Sequence, residues 1–289
     1  MKFGIIPINV GAQASPERIA ALAEKAEAVG VESVWTFEHV IVPAEYESKY
    51  PYHPSGKLAA TPETPFIDPL IALTYAAART TRLRLGTGIN ILSQANPLML
   101  AKQAASLDVL SGGRLLLGLG VGWLKEEFDA LGAPFARRGA RADDYIEAMK
   151  KVWAGELVEH ESEFVSWHGF KSYPLPAQKP HPPLIVGGDS PPALRRVARY
   201  GDGWFATFLK PDALAEHIRT IHAHAREFGR DPAEIEISAF WTRSREGLDS
   251  VRELEDLGVA RLIAPLQSLG EDDPLVGVER LAENVIAKL

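Results

Sequence analysis

Eight times along the 289-residue chain a short apolar run is followed by a segment of helical periodicity, and this alternation limits the fold more than any other feature. The runs cover residues 3–8, 31–40, 83–92, 114–122, 183–187, 203–207, 235–240 and 261–265. The helical segments open at Pro16 and then cover 68–79, 97–110, 140–153, 191–200, 211–228, 248–257 and 274–288. In the first, Ser15 stands as N-cap ahead of Pro16, and Ile19, Leu22, Ala23 and Ala26 share one face. Gly30 takes the place of a C-terminal cap. Apolar runs without alternation are what strands buried on both faces need, so the sheet is parallel and covered by helices. Eight such units predict an α/β fold, a (β/α)8 TIM barrel forming a single domain over 1–289. A doubly wound sheet would carry fewer strands and a phosphate loop after the first, and residues 9–13 hold no G-x-G-x-x-G. Two stretches exceed ordinary loop length and read as insertions. One, 41–66, follows strand 2 and is rich in Pro and Tyr. The other, 155–182, precedes strand 5, and its part 158–167 reads as a hairpin.

Composition removes whole classes of function. There are 31 Lys and Arg against 38 Asp and Glu, a net charge of −7. Nucleic acid or an anionic membrane would want a basic face, so neither is expected as a partner. The absence of cysteine excludes a thiolate nucleophile, iron–sulfur clusters and Cys-ligated zinc. His217, His222 and His224 share a helix without zincin spacing, and His160, His168 and His181 fall in the second insertion, so no metal is expected. The first run carries a proline and no cleavage site follows it, so a cytoplasmic protein is expected. A small molecule is left as the partner.

In such a barrel the chemistry sits at the C-terminal strand ends. Strand 2 ends at Phe37-Glu38-His39, strand 3 at Gly86-Thr87-Gly88-Ile89-Asn90, strand 4 at Gly118-Leu119-Gly120-Val121-Gly122-Trp123 and strand 5 at Gly187-Gly188-Asp189-Ser190. The strand 5 end runs into a helix. Its glycines let backbone approach a ligand, and free N–H groups at the helix N-terminus favour an anion such as phosphate. A tight turn with Asp or Ser as N-cap is the other reading. Gly118, Gly120 and Gly122 leave one face of strand 4 bare, which admits either a flat ring or close packing. Gly88 invites a bulge or an unusual peptide. Glu38 and His39 alternate faces, so only one points into the mouth. His39 is either structural or the acid or base of a reaction.

In chain order these fragments resemble the bacterial luciferase-like monooxygenase superfamily, and within it the coenzyme F420-dependent oxidoreductase branch. The matching residues are Val34-Trp35-Thr36-Phe37-Glu38-His39, Leu85-Gly86-Thr87-Gly88-Ile89, Asn96-Pro97-Leu98 with Ala101-Lys102-Gln103 and Leu107-Asp108, and Ser111-Gly112-Gly113-Arg114. Gly118 to Trp123 follow, with Glu127-Phe128, Leu131-Gly132, Arg141, Glu147 and Trp153, then 183–190 and Tyr200-Gly201-Asp202-Gly203-Trp204.

The resemblance implies a flavin or deazaflavin at the barrel mouth. It implies His39 near the ring, and Gly88, Ile89 and Asn90 packed under it, often with a non-proline cis peptide. Gly120, Gly122, Gly187, Gly188, Asp189 and Ser190 would bind the cofactor tail. The implied reaction is hydride transfer between F420 and a small organic substrate, with reduced-FMN monooxygenation as the alternative. Users of FMN carry an arginine for its phosphate in the strand 4 loop. Val121 stands there, which favours F420, and Arg195, Arg196 or Arg199 are candidates for an acidic tail. Glu38 stands where many relatives have aspartate. A homodimer is expected from the family, with Ala72, Ala76, Ala101, Ala104 and Ala105 permitting close helix packing.

Overall fold

The computed structural model describes residues 1–289, apart from the side chain of Arg245. Eight parallel strands form a closed ring: β1 (Lys2–Ile6), β2 (Ser33–Thr36), β3 (Arg84–Thr87, resumed at Asn90–Ile91), β4 (Leu115–Gly120), β5 (Leu184–Gly187), β6 (Gly203–Ala206), β7 (Glu236–Phe240) and β8 (Arg261–Pro265). Each pairs with the next, and β8 closes on β1 with Phe3 beside Leu262. The helices outside are α1 (Pro16–Ala28), α2 (Pro69–Ala77), α3 (Pro97–Leu110), α4 (Arg138–Trp153), α5 (Pro191–Tyr200), α6 (Pro211–Glu227), α7 (Leu248–Asp256) and α8 (Pro274–Asn284). A short helix, Lys125–Ala130, precedes α4, and the hairpin in the second insertion pairs Val158–Glu161 with Ser166–Phe170. The predicted TIM barrel and its hairpin are therefore present.

Inside the ring, Ile6, Trp35, Leu116, Ile185, Phe205 and Ile263 fill the bore, with Phe37, Ile89 and Phe240 above them toward the mouth. Trp35 stacks on Phe205 at 5.5 Å. Its bulk is accommodated by a missing side chain on the neighbouring strand, since a Cβ at Gly86 would lie 2.3 Å from its ring. At the opposite end Arg261, 1% exposed, joins Glu32 at 2.8 Å and also Glu236, which closes the bottom with paired charges.

Two local devices shape the mouth. Predicted strand 2 is cut short after Thr36 because Asn9, fully buried, takes over as partner. It accepts from the Phe37 N–H at 3.0 Å and donates to the carbonyls of Phe37 (2.8 Å) and Ile67 (2.6 Å). In β3, Gly86 pairs with Leu116 but the next pair is Asn90 with Leu119, so four steps on β3 run against three on β4. That extra residue is a bulge, and the Gly88–Ile89 peptide within it is cis. The bulge turns the Ile89 side chain into the barrel.

Ala72, Ala76, Ala101, Ala104 and Ala105 are all buried in the core. They are spent on ordinary helix-on-barrel packing and are not surface residues. Among the described residues no helix is long and apolar enough to cross a membrane.

Candidate active site

The mouth has an apolar floor made by Phe37, Ile89 and Phe240, with Phe37 and Phe240 stacked at 6.2 Å. His39 stands at its edge, its ring edge-on to Phe66 (5.4 Å) and to Trp123 (6.1 Å). Glu127, 2% exposed, comes from the short helix after β4. One of its oxygens lies 3.2 Å from His39 Nδ1, and the other accepts the backbone N–H groups of Val40 (2.6 Å) and Ile41 (3.2 Å). A carboxylate at this contact accepts from Nδ1–H, which in a neutral imidazole leaves the lone pair on Nε2. Glu127 was visible in the sequence only as a matching fragment; its pairing with His39 spans 88 residues and leaves no local signal.

Glu38 turns away from His39, toward the outside of the barrel wall. Its carboxylate accepts from Asn90 Nδ2 at 2.8 Å and from the Ile91 N–H, and so ties the end of β2 to the segment just after the β3 bulge. It keeps a little water contact, yet burial pushes its pKa up to about 7 against the pull of those two donors, and the Glu127 and Asp68 charges add to the rise. The folded form thus holds this proton more tightly than the unfolded chain, whose ordinary value is 4.5. The contribution to stability is complete below the unfolded value and is lost as pH rises through about 7. Urea midpoints of wild type are therefore expected to fall from about pH 6 to about pH 8 more steeply than those of Glu38→Gln. Parallel curves for the two proteins would remove the assignment.

The bare stripe on β4 is filled from within. A Cβ at Gly120 would meet Ile89 Cγ2 at 2.8 Å, and one at Gly187 would meet Ile89 Cγ1 at 3.0 Å. These glycines seat the Ile89 side chain, the close-packing reading of the sequence. Gly122, at φ +74°, makes a turn against Ile91 and Phe128. Asn90 is 4% exposed, and its Oδ1 has no partner although it is buried. Both polar atoms of the Gln94 amide are in the same state. Buried acceptors and donors without partners need a water or a ligand group to satisfy them.

The strand 5 end departs from the expected anion site. Ser190 is the N-cap of α5, but its side chain makes no capping bond, and the first two helical positions are Pro191 and Pro192. Neither has an N–H, so two donors credited to the helix start do not exist. Gly188 (φ +104°) sends its carbonyl to Trp204 Nε1 at 2.8 Å. A Cβ on Gly188 would meet that of Ala193 at 3.1 Å, so a valine there would strain the turn as well as fill the loop. Arg195, Arg196 and Arg199 are each engaged, with Glu227, Asp143 and Glu147 respectively.

A different cation takes their place. Arg138, at the start of α4, donates from Nε to the carbonyl of Gly122 at 3.1 Å and lies 4.0 Å over the Phe135 ring. Among the described residues it has no carboxylate partner. It brings a charge to the strand 4 loop that Val121 does not supply.

The first insertion folds over the mouth as an aromatic lid. Trp123 is the hub, with Tyr46 at 5.8 Å and Tyr50 at 5.2 Å; Tyr50 meets Tyr52 at 5.6 Å. Tyr52 in turn meets Phe208, just beyond β6, at 6.4 Å, so the lid reaches across the mouth. Burial pushes the Tyr52 hydroxyl up to about 12, and the Asp189 charge adds to it. Glu126 anchors this lid by accepting the N–H groups of Glu47 (2.8 Å) and Ser48 (3.2 Å). Among the described residues no group of three or more His, Asp or Glu is placed to hold a metal.

The site is thus a histidine–carboxylate pair at the mouth of a closed parallel barrel. Residues 1–244 match the luciferase-like monooxygenase family, and the chain belongs to it. An uncharacterised protein of Mycobacterium bovis is 37% identical over 279 residues, 93% of this chain and 94% of that one. The FMNH2-dependent dimethylsulfone monooxygenase of Pseudomonas putida is 30% identical over 148 residues, 50% of this chain and 40% of that one. The coenzyme F420-dependent tetrahydromethanopterin reductase of Methanopyrus kandleri superposes with a TM-score of 0.79 over 99% of both chains at 20% identity. The fold thus serves both F420-dependent reductases and FMN-dependent monooxygenases.

Proposed function

We propose that this protein is an F420-dependent oxidoreductase that moves a hydride between the deazaflavin and a small organic substrate. The observation that carries the reading is the His39–Glu127 pair beside an apolar floor and under an aromatic lid. The residues fit such a group: Phe37, Ile89 and Phe240 suit the face of a flat ring. When bound, the deazaflavin supplies hydride chemistry at its C5. His39 Nε2 holds or moves a proton, Glu127 fixes that nitrogen's state, and Tyr46, Tyr50 and Trp123 keep water out.

The choice of F420 rests on charge. The strand 5 loop offers Asp189 and no cation before Arg195. A phosphate monoester carrying close to two charges is poorly met there, whereas a phosphodiester with one charge asks for less. FMN is the second reading, and Arg138 is the observation that favours it. Binding titrations with F420 and with FMN at moderate salt separate the two. Micromolar F420 affinity, with FMN at least about tenfold weaker, is the expected result. Arg138→Gln should then leave F420 binding nearly unchanged. FMN bound more tightly than F420, and weakened about tenfold or more by Arg138→Gln, would move the protein to the monooxygenase side.

A further inference from the structure

Seven rings close a circle around the mouth. His39 meets Trp123 at 6.1 Å, Trp123 meets Tyr50 at 5.2 Å, and Tyr50 meets Tyr52 at 5.6 Å. Tyr52 meets Phe208 at 6.4 Å, Phe208 stacks on Phe240 at 4.6 Å, and Phe240 stacks at 6.2 Å on Phe37, two residues before His39. Tyr50 and Tyr52 belong to the first insertion, and the other five stand at or just beyond the ends of β2, β4, β6 and β7. The circle is therefore closed at two joints between the insertion and the barrel, one at Trp123 and one at Phe208.

The two joints are unequal. Within the insertion the Tyr50 N–H donates to the Gly56 carbonyl (2.8 Å) and the Gly56 N–H to the His53 carbonyl (2.9 Å). Lys57 Nζ donates to the Tyr46 carbonyl at 2.8 Å, and the Tyr46 hydroxyl accepts from the Leu58 N–H at 2.8 Å. Residues 46–58 are thus bonded to one another as one body. On the strand 4 side this body is held by hydrogen bonds: Glu126 accepts from Glu47 and Ser48, and the Lys125 N–H donates to Ser48 Oγ at 3.0 Å. On the opposite side, among the described residues, no hydrogen bond or ion pair joins 46–58 to β5, β6, β7 or the loops beyond them. There the contact of Tyr52 with Phe208 spans the gap.

Phe208 is unusual in its own right. It sits at φ +53°, a left-handed conformation that a bulky residue rarely adopts, and it is 49% exposed. Burial does not explain a ring that keeps half its surface in water. What the conformation achieves is a ring set between Phe240 of the floor and Tyr52 of the insertion. A backbone held against its preference persists where its surroundings require it, and such positions gather at clamps and switches.

We propose that residues 46–58 form a flap hinged on the strand 4 side and clasped by Tyr52 on Phe208, so that ligands enter and leave the mouth past the β6 edge. Phe208 is a positioning residue, acting through the flap. Which ligands pass rests on the function proposed above; the clasp does not, and its first test uses no cofactor. The chain has no cysteine, so nitroxide labels attach only where cysteines are introduced. Pro54→Cys at the flap tip and Arg219→Cys on α6 are exposed positions for a pair of labels, and double electron–electron resonance reads the distance between them. Phe208→Gly keeps the backbone angle and removes the ring. It should raise the longer-distance population about two- to tenfold, the range that the loss of one aromatic pair allows. Tyr52→Ala should do the same, the double variant should add nothing to either, and Phe208→Tyr should restore the closed distance.

Stopped-flow binding of F420 and of FMN reads the gate itself. A flap that only gates raises association and dissociation together, so both rates should rise about two- to tenfold in Phe208→Gly while the affinity changes less than about twofold. Circular dichroism and a urea curve establish that the variants are folded. Unchanged label distances in folded Phe208→Gly, or additive effects of the two single variants, would overturn the clasp. Faster dissociation without faster association would make Phe208 a ligand contact and overturn the entry route. Label distances that respond as expected while neither cofactor binds would support the clasp and count against the cofactor reading alone.

Discussion

Gly118→Ala is expected to cost about 4 kcal/mol or more of stability, enough to leave little folded protein. An added Cβ would lie 1.8 Å from the carbonyl oxygen of Thr87. That atom is backbone, so no rotamer change relieves the clash. The backbone cannot retreat easily either. Thr87 Oγ1 donates to the Gly118 carbonyl at 2.9 Å and accepts from the Gly118 N–H at 2.8 Å, and it bridges the ladder where the β3 bulge interrupts it. Moving β4 away would break both bonds in a buried place, and each unsatisfied group costs about 1–3 kcal/mol. Gly120→Ala is the internal comparison. Its Cβ would meet only the Cγ2 end of Ile89, at 2.8 Å, and that side chain can shift. About 1–3 kcal/mol is expected there. Urea unfolding of the two variants decides the matter, and a Gly118→Ala protein as stable as Gly120→Ala would mean that the bulge yields.

The bulge also shows where sequence reasoning stopped. Gly88 announced an irregular backbone and Gly118 and Gly120 a bare stripe, yet the complement of that stripe is Ile89, on another strand and 29 residues before Gly118. Ile89 is an ordinary apolar residue by type, and only the extra residue in β3 aims it inward. The barrel itself was legible because eight apolar runs of strand length can be buried on both faces in few ways. Pro191-Pro192 was equally legible and was overlooked: two prolines at a helix start remove two of the N–H donors counted there. Arg138 and Glu127 could not be found by inspection of strand ends. One opens a helix and the other sits in a short helix after β4, and each reaches the mouth only through tertiary folding. Charge read along the strand 4 loop missed Arg138, which lies 16 residues from the Gly122 carbonyl it binds.

Removing the imidazole in His39→Ala should lower turnover about 100-fold or more if Nε2 holds or moves a proton. The informative variant is Glu127→Gln. Glutamine keeps an oxygen for the Val40 and Ile41 N–H groups, so the lid stays anchored. Its other atom is then an NH2 group facing His39 Nδ1, and two donors cannot share that contact. The imidazole must move its proton to Nε2, and the lone pair that served the mouth is lost. Turnover should fall about 100-fold or more while the urea midpoint and cofactor affinity change little. Glu127→Ala behaves differently, because it strands two partly buried N–H groups and should also cost about 1–3 kcal/mol of stability. Nitrogen NMR of the His39 ring reads the tautomer directly, without any substrate. Glu127 is a positioning residue on this argument, and a purely structural role would lower stability without moving the proton. A Glu127→Gln protein whose His39 still carries its proton on Nδ1, or which turns over at the wild-type rate, would show that the pair does not set the state of the base.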